Sequence, residues 1–304
     1  MNVLQTQDLK KIYRKTRALD GVNITIQKGD IYGFIGKNGA GKTTLIRLIT
    51  GVAEPTSGTF SLFGETGTLA NIRARKRIAA VVESPALHMN LSAYENLKLQ
   101  CILLGIKQPH QKVIEDVLTK VDLLSLLVEK KKKAKNFSLG MRQRLGIAMA
   151  LISNPEFLIL DEPNNGLDPE GIRDMRELLL RLNREDGLTI LVSSHILSEL
   201  AKLATRYGFI DKGKVIRELS ASELNRESRQ ATVLTLSQPL SSDADLKEAG
   251  LKDYELSGTT LKIYGTQSTN KYLAVLAQAN IEVMNMSKEA DDLETFFMSM
   301  IGGK

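Results

Sequence analysis

Cysteine is almost missing from this sequence: Cys101 is the only one. No disulfide can form within the chain, and nothing points to an oxidising compartment. Tryptophan is absent and aromatics make up 5% of the residues. None of them interleave with the basic clusters, which argues against nucleic acid as a partner. No stretch approaches the roughly 18 consecutive apolar residues that a membrane-spanning helix needs. The opening MNVLQTQDLKKIY also lacks the apolar segment of a signal peptide. The expectation is a soluble, cytoplasmic chain.

What is present suits a packed globular protein. Hydrophobic residues at 42% can fill a core, and charged residues at 25% are ordinary. The 304 residues exceed a usual single domain, so two domains of unequal size are expected. A net charge of +6 reads as a solvated surface with a slight lysine excess. An anionic ligand or a negatively charged membrane leaflet would suit it as well. Lys130 to Lys133 reads as exposed loop.

Strands and helices alternate over about the first 220 residues. Ile31 to Ile35 is an apolar run ending in Gly36, expected as a buried strand. A helix over Thr43 to Ile49 follows, closed by Gly51. Phe157 to Leu160 and Thr189 to Val192 are further strands, with helices at Glu170 to Asn183 and Ile196 to Ala204. This alternation predicts a mostly parallel sheet covered on both faces. Ser92 to Val128 is helical only, which places an inserted helical lobe at about 90–150.

A polar stretch, SASELNRESRQ, marks a linker near Ser220 to Gln230. Residues 1–220 and 221–304 are therefore the expected domains. In the tail, ATVLTLS reads as a strand, DADLKEAG as a helix and DYELSGTTLKIYG as two strands. NKYLAVLAQAN reads as a helix, IEVMNMS as a strand and DLETFFMSMI as a last helix. A β-α-β-β-α-β order is that of the ferredoxin-like, split-βαβ unit. No catalytic cluster lies there, so a regulatory or interaction role is expected.

Gly36-Lys37-Asn38-Gly39-Ala40-Gly41-Lys42-Thr43-Thr44 fits the P-loop pattern, after a strand and opening a helix. Glycines let the backbone curl so that successive N–H groups point at phosphate oxygens, and the helix N-terminus adds positive character. Lys42 would reach the β- and γ-phosphates, and Thr43 would ligate Mg²⁺. Downstream, the apolar strand Phe157 to Leu160 ends in Asp161 and Glu162. Asp161 is placed to hold magnesium as a Walker-B aspartate does. An unpaired charge at a buried strand tip is costly. A general base that polarises the attacking water explains Glu162.

These motifs alone say only that the chain is a P-loop ATPase. Asn136-Phe137-Ser138-Leu139-Gly140-Met141-Arg142-Gln143-Arg144 resembles the signature of ABC-type (ATP-binding-cassette) transporter ATPases, usually LSGGQ. In that family a serine and glycine amides at a helix start grip the γ-phosphate bound to the opposite subunit, which here implies Ser138 and Gly140. Tyr13 stands where the family has an aromatic that stacks on adenine. Asn165-Gly166-Leu167-Asp168 is similar to the D-loop, and His195, after Ser193-Ser194, to the switch histidine that contacts γ-phosphate. His88 and His110 lack such a context and are expected at the surface. The resemblance covers about residues 1–220. Leu139 in place of a glycine, and Glu83 where the family's Q-loop has glutamine, resemble the ATPases of lantibiotic-immunity and bacitracin-resistance exporters.

The resemblance implies an α/β, P-loop NTPase domain of the ABC ATPase type with a helical lobe. It implies an ATP site of Tyr13, Gly36, Asn38, Gly39, Ala40, Gly41, Lys42, Thr43, Thr44, Ser138, Gly140 and Asp168. Magnesium would meet Thr43, Asp161 and Glu83, with Glu162 and His195 catalytic. One chain carries one P-loop and one signature, so two chains would meet head to tail with two ATP molecules between them. The helical lobe and the loop around Glu83 would touch a separate polytopic permease at the inner face of the cell membrane. The implied task is ATP-driven export of a peptide antibiotic, with another drug or small molecule as the alternative cargo.

Overall fold

The computed structural model describes residues 1–107, 109–129, 131–227, 230–240, 246–247, 251, 254–264, 269–278 and 281–290. Two compact units divide the chain, Met1–Ser220 and Ala221–Lys304.

The first unit opens with β1 (Asn2–Tyr13), β2 (Thr16–Val22) and β3 (Thr25–Gln27), followed by β4 (Ile31–Ile35) and α1 (Lys42–Thr50). Next come β5 (Ser57–Leu62), β6 (Glu65–Thr66), α2 (Thr68–Ala74) and β7 (Ile78–Val81). Helices α3 (Ala93–Leu103), α4 (His110–Lys120) and α5 (Leu139–Leu151) then run before β8 (Phe157–Asp161). The unit closes with α6 (Pro169–Asp186), β9 (Thr189–Ser194), α7 (Leu197–Leu200), β10 (Arg206–Asp211) and β11 (Lys214–Ser220).

Its central sheet runs β11-β10-β4-β9-β8-β7. All neighbours are parallel except the β11 edge, which returns antiparallel to β10. Strands β4, β8 and β9 are buried at every position, as uninterrupted apolar runs require in a sheet covered on both faces. Register sets Ile35 beside Ser194 and Asp161 beside Ser193. The residues that leave the C-terminal ends of these strands therefore start as neighbours, where open α/β sheets bind ligands.

A second sheet was not legible in advance. Strands β2-β1-β5-β6, with β3 on β1, form an antiparallel layer. The pairings of β1 with β2, β3 and β5 each carry a register shift. Those shifts interrupt the alternation that would announce a strand. One hydrophobic core, including Leu4, Ile26, Phe34, Leu45, Ile49 and Phe157, joins both sheets through α1.

Helices α3, α4 and α5 pack on one another as the helical lobe. Ser92 caps α3 in a reciprocal capping box with Glu95. Hydrogen bonds from Ser92 hold the Glu95 carboxyl below its ordinary range. His88 is exposed, but His110 corrects the expectation of a surface residue. It is 5% exposed, and its Nε2 lies 2.8 Å from the Ile106 carbonyl, so it closes the turn ahead of α4. The helix expected over Ile196 to Ala204 is also shorter, ending at Leu200. The chain then turns through Leu200 to Ala204, and Thr205 docks on Ile31 at the entry to β10.

In the second unit, the segment read as a linker is helical from Ala221 to Glu227 (α8), anchored by the buried Leu224. Strands β12 (Gln230–Leu236), β13 (Tyr254–Ser257) and β14 (Thr260–Tyr264), helix α9 (Thr269–Gln278) and β15 (Val283–Ala290) follow. The sheet runs β13-β14-β12-β15 with every neighbouring pair antiparallel. That order places the first and third strands of the unit in the centre, as a split βαβ does. Leu234, Leu261, Ile263, Tyr272 and Leu276 form its own core. Most of DADLKEAG and the whole of DLETFFMSMI lie outside the described residues.

Candidate functional site

The P-loop links the C-terminal end of β4 to α1. A Cβ on Gly36 would lie 2.5 Å from the Ile210 carbonyl oxygen, and one on Gly41 would lie 2.6 Å from that of Ala18. Gly41 also has φ of 116°, a backbone that side-chain-bearing residues rarely adopt. Only glycine lets the loop pass this close to its neighbours. The Gly213 amide donates to the Ala40 carbonyl, which ties the loop to the β10–β11 turn.

Lys42 is 5% exposed, and its Nζ donates to the Gly36 carbonyl at 2.6 Å. The same ammonium lies 3.1 Å from Glu162 Oε1, an ion pair without hydrogen-bond geometry. Glu162 Oε2 stands 2.8 Å from His195 Nδ1. The carboxylate is thus held between a cation and an imidazole. Glu162 has φ of 52°, a left-handed backbone that is strained for a glutamate. Its amide is fixed by the Ser193 carbonyl at 3.2 Å and the Ser193 hydroxyl at 3.0 Å.

Asp161 is buried and receives two hydroxyls: Thr43 Oγ1 at 2.8 Å on Oδ2 and Ser193 Oγ at 2.5 Å on Oδ1. Ser193 therefore orients the Asp161 carboxylate and fixes the backbone of the adjacent Glu162. It entered the sequence reading only as a neighbour of His195, because its role depends on the β8–β9 register. A hydroxyl beside a carboxylate is the hard-oxygen donor set that magnesium takes together with nucleotide oxygens. Among the described residues no group of three or more His, Cys, Asp or Glu could hold a metal by itself.

A cleft of about 300 Å³ opens at Lys42, Thr43 and Glu162, lined also by Asn38, Gly39, Gly41 and Thr44 among others, while Asp161, Ser193 and His195 are not on its wall. Arg17 and Lys212 lie on its wall, two cations that no sequence motif marked. Tyr13 is not on that wall. It sits half-exposed at the β1–β2 hairpin, with the Lys11 ammonium 4.9 Å from its ring centre.

Ser138, Gly140 and Asp168 also lie outside the cleft lining. Ser138 caps α5, accepting from the Met141 amide at 3.2 Å. Asp168 caps α6, accepting from the Gly171 amide at 2.8 Å. Leu139 reaches toward the Asn164–Leu167 loop: a Cβ on Gly166 would lie 3.1 Å from its Cδ2. Glu83 is not joined to Thr43 or Asp161. Its Oε1 accepts from Arg47 Nη2 at 2.6 Å.

Residues 19–165 match the family described as ABC transporter. Over 304 residues the chain is 39% identical to the bacitracin transport ATP-binding protein BcrA of Bacillus licheniformis, covering 99% of this chain and 98% of that protein. It is 45% identical over 216 residues to the lantibiotic transport ATP-binding protein SrtF of Streptococcus pyogenes, covering 71% of this chain and 90% of that protein. Among solved structures, the dimeric ATP-binding cassette MJ0796, in a post-hydrolysis state bound to ADP and Pi, superposes with a TM-score of 0.64. It is 26% identical and covers 72% of this chain and 98% of that one.

Proposed function

The chain belongs to the ABC transporter ATP-binding proteins, and from that premise we propose that it uses Mg²⁺ and ATP at this site to drive export of a peptide antibiotic through a separate membrane permease. The observation that carries the chemical part is the placement of Glu162 between Lys42 and His195 at the tip of β8. The names of the bacitracin and lantibiotic relatives support the cargo. No helix among the described residues is long and apolar enough to cross a membrane, which fits a chain that works on a separate permease.

In this reading the P-loop amides and Lys42 hold the β- and γ-phosphates, and Thr44, Asn38 and Ala40 complete the cradle. Thr43 and Asp161 would hold magnesium, which neutralises charge on the phosphate oxygens. Glu162 accepts the proton of the water that attacks the γ-phosphorus. The bond from that phosphorus to the bridging oxygen breaks, and ADP leaves with the electron pair. His195 keeps the Glu162 carboxylate aimed through Oε2 and reaches toward the γ-phosphate. Tyr13 stacks on adenine. Ser138, Gly140 and Asp168 act on the nucleotide of a second copy arranged head to tail.

Transfer of the gene into an antibiotic-sensitive cell, together with a gene for a candidate membrane permease, tests the cargo. Survival on bacitracin or a lantibiotic that is lost with Glu162→Gln is the expected result. Resistance to unrelated small drugs alone would replace this cargo with the alternative.

A further inference from the structure

Three carboxylates leave neighbouring strand ends in this fold. Strand β7 pairs with β8 so that Val81 sits beside Leu160. Glu83 therefore follows β7 at the level where Asp161 and Glu162 end β8. Like charges repel, and the repulsion grows as they approach. Yet the Glu83 side chain does not join the other two. It turns to Arg47, with Nη2 to Oε1 at 2.6 Å. Its backbone has φ of 63°, a conformation that side-chain-bearing residues disfavour.

Arg47 is well placed to reach across. It stands four residues after Thr43 on α1, and positions i and i+4 share one face of a helix. Thus a single helix face carries the hydroxyl bonded to Asp161 and, one turn later, the guanidinium bonded to Glu83. The loop is held on its other side by α5. A Cβ on Gly146 would lie 2.5 Å from Pro85 Cβ, so glycine at 146 admits Pro85 against the helix that Ser138 caps.

We propose that Arg47 is a positioning residue for Glu83, drawing its carboxylate onto α1 and away from the Asp161–Glu162 centre. The inference rests on the reading of that centre as an ATPase site. It gives the glutamate at 83 a specific reason: a carboxylate pairs with the guanidinium ionically, and a neutral amide does not. Without Arg47, the guanidinium no longer offsets the Glu83 charge near the end of β8, and turnover falls. The loss comes from Glu83, so removing that charge restores what removing Arg47 takes away.

Phosphate release from ATP and Mg²⁺ by the purified full-length chain tests this with five proteins: the parent, Arg47→Ala, Arg47→Lys, Glu83→Gln and the double variant Arg47→Ala/Glu83→Gln. Arg47→Ala is expected to lower turnover by about fivefold, the ceiling for an exposed ion pair. Arg47→Lys keeps the charge and stays within about twofold of the parent. The double variant returns to the level of Glu83→Gln. Where alanine unfolds α1 by circular dichroism, Arg47→Gln carries the same expectation. A double variant slower than Glu83→Gln by the same factor that separates Arg47→Ala from the parent, or an Arg47→Ala at the parental rate, overturns the proposal while leaving the ATPase reading intact. A parent that releases no phosphate overturns both.

Discussion

The P-loop half of the nucleotide site and the signature half are built to different standards of completeness within one chain. In the first, Lys42, Thr43, Asp161, Glu162, Ser193 and His195 are linked by contacts of 2.5 to 3.1 Å at the ends of three adjacent buried strands. In the second, Ser138 and Asp168 cap the helices they begin, and both stand outside the cleft. A capping side chain at a helix start leaves amide donors and positive character directed outward. Such an end suits a phosphate brought by another molecule. In the proposed reading, one chain supplies a water-activating half and a separate phosphate-gripping half, and a complete site needs two copies facing each other. The dimeric cassette that superposes on this chain supports that arrangement.

The largest expected effect falls on the complete half. Glu162→Gln keeps the shape and removes the base, so turnover should drop by roughly a hundredfold or more, about 2.7 kcal/mol of barrier. ATP binding should survive, and the ATP-bound dimer should accumulate in size-exclusion chromatography. Hydrolysis at the parental rate would remove Glu162 from its proposed role.

Legibility in the sequence follows the same divide. The P-loop glycines, Lys42, Thr43 and the Asp161–Glu162 pair could be read because local backbone geometry dictates them: close approach at Gly36, positive φ at Gly41, and an apolar strand that ends in charge. Ser193 as the clamp on the Asp161 carboxylate and the Glu162 backbone was not legible, since it depends on which strand lies next to β8. Arg47 was hidden for a related reason. It is exposed, thirty-six residues from Glu83, and an exposed arginine on a helix has no pattern of its own. The antiparallel sheet was missed because register shifts blur the alternation of β1. His110 was misplaced because a single histidine beside a turn carries no signal of burial.

A smaller effect is expected at the loop that bridges both halves. Glu83→Gln should change turnover of the isolated subunit by less than about tenfold, or 1.4 kcal/mol. The main deficit should appear as weakened resistance in cells that carry the permease. A collapse far beyond tenfold in the purified chain would place Glu83 in the chemical step.

No loss of nucleotide binding is expected from the second unit. A chain ending at Ser220 keeps every group on the cleft wall, all of which belong to the first unit. It should bind ATP with Mg²⁺ as the full chain does, read by fluorescence of a labelled nucleotide. A folded shortened chain, by circular dichroism, that no longer binds would show that the tail contributes to the site.

Complementation between two disabled chains tests the division into halves most directly. Lys42→Ala removes the phosphate cation from one half, and Ser138→Arg blocks the other. Each variant alone should be inactive in phosphate release. Random pairing in an equal mixture makes about half the dimers mixed, and each mixed dimer has one intact site, so activity should recover toward roughly a quarter of the parental value. A mixture that stays inactive, although mixed dimers are detected by differential tagging, would contradict a site shared between two chains.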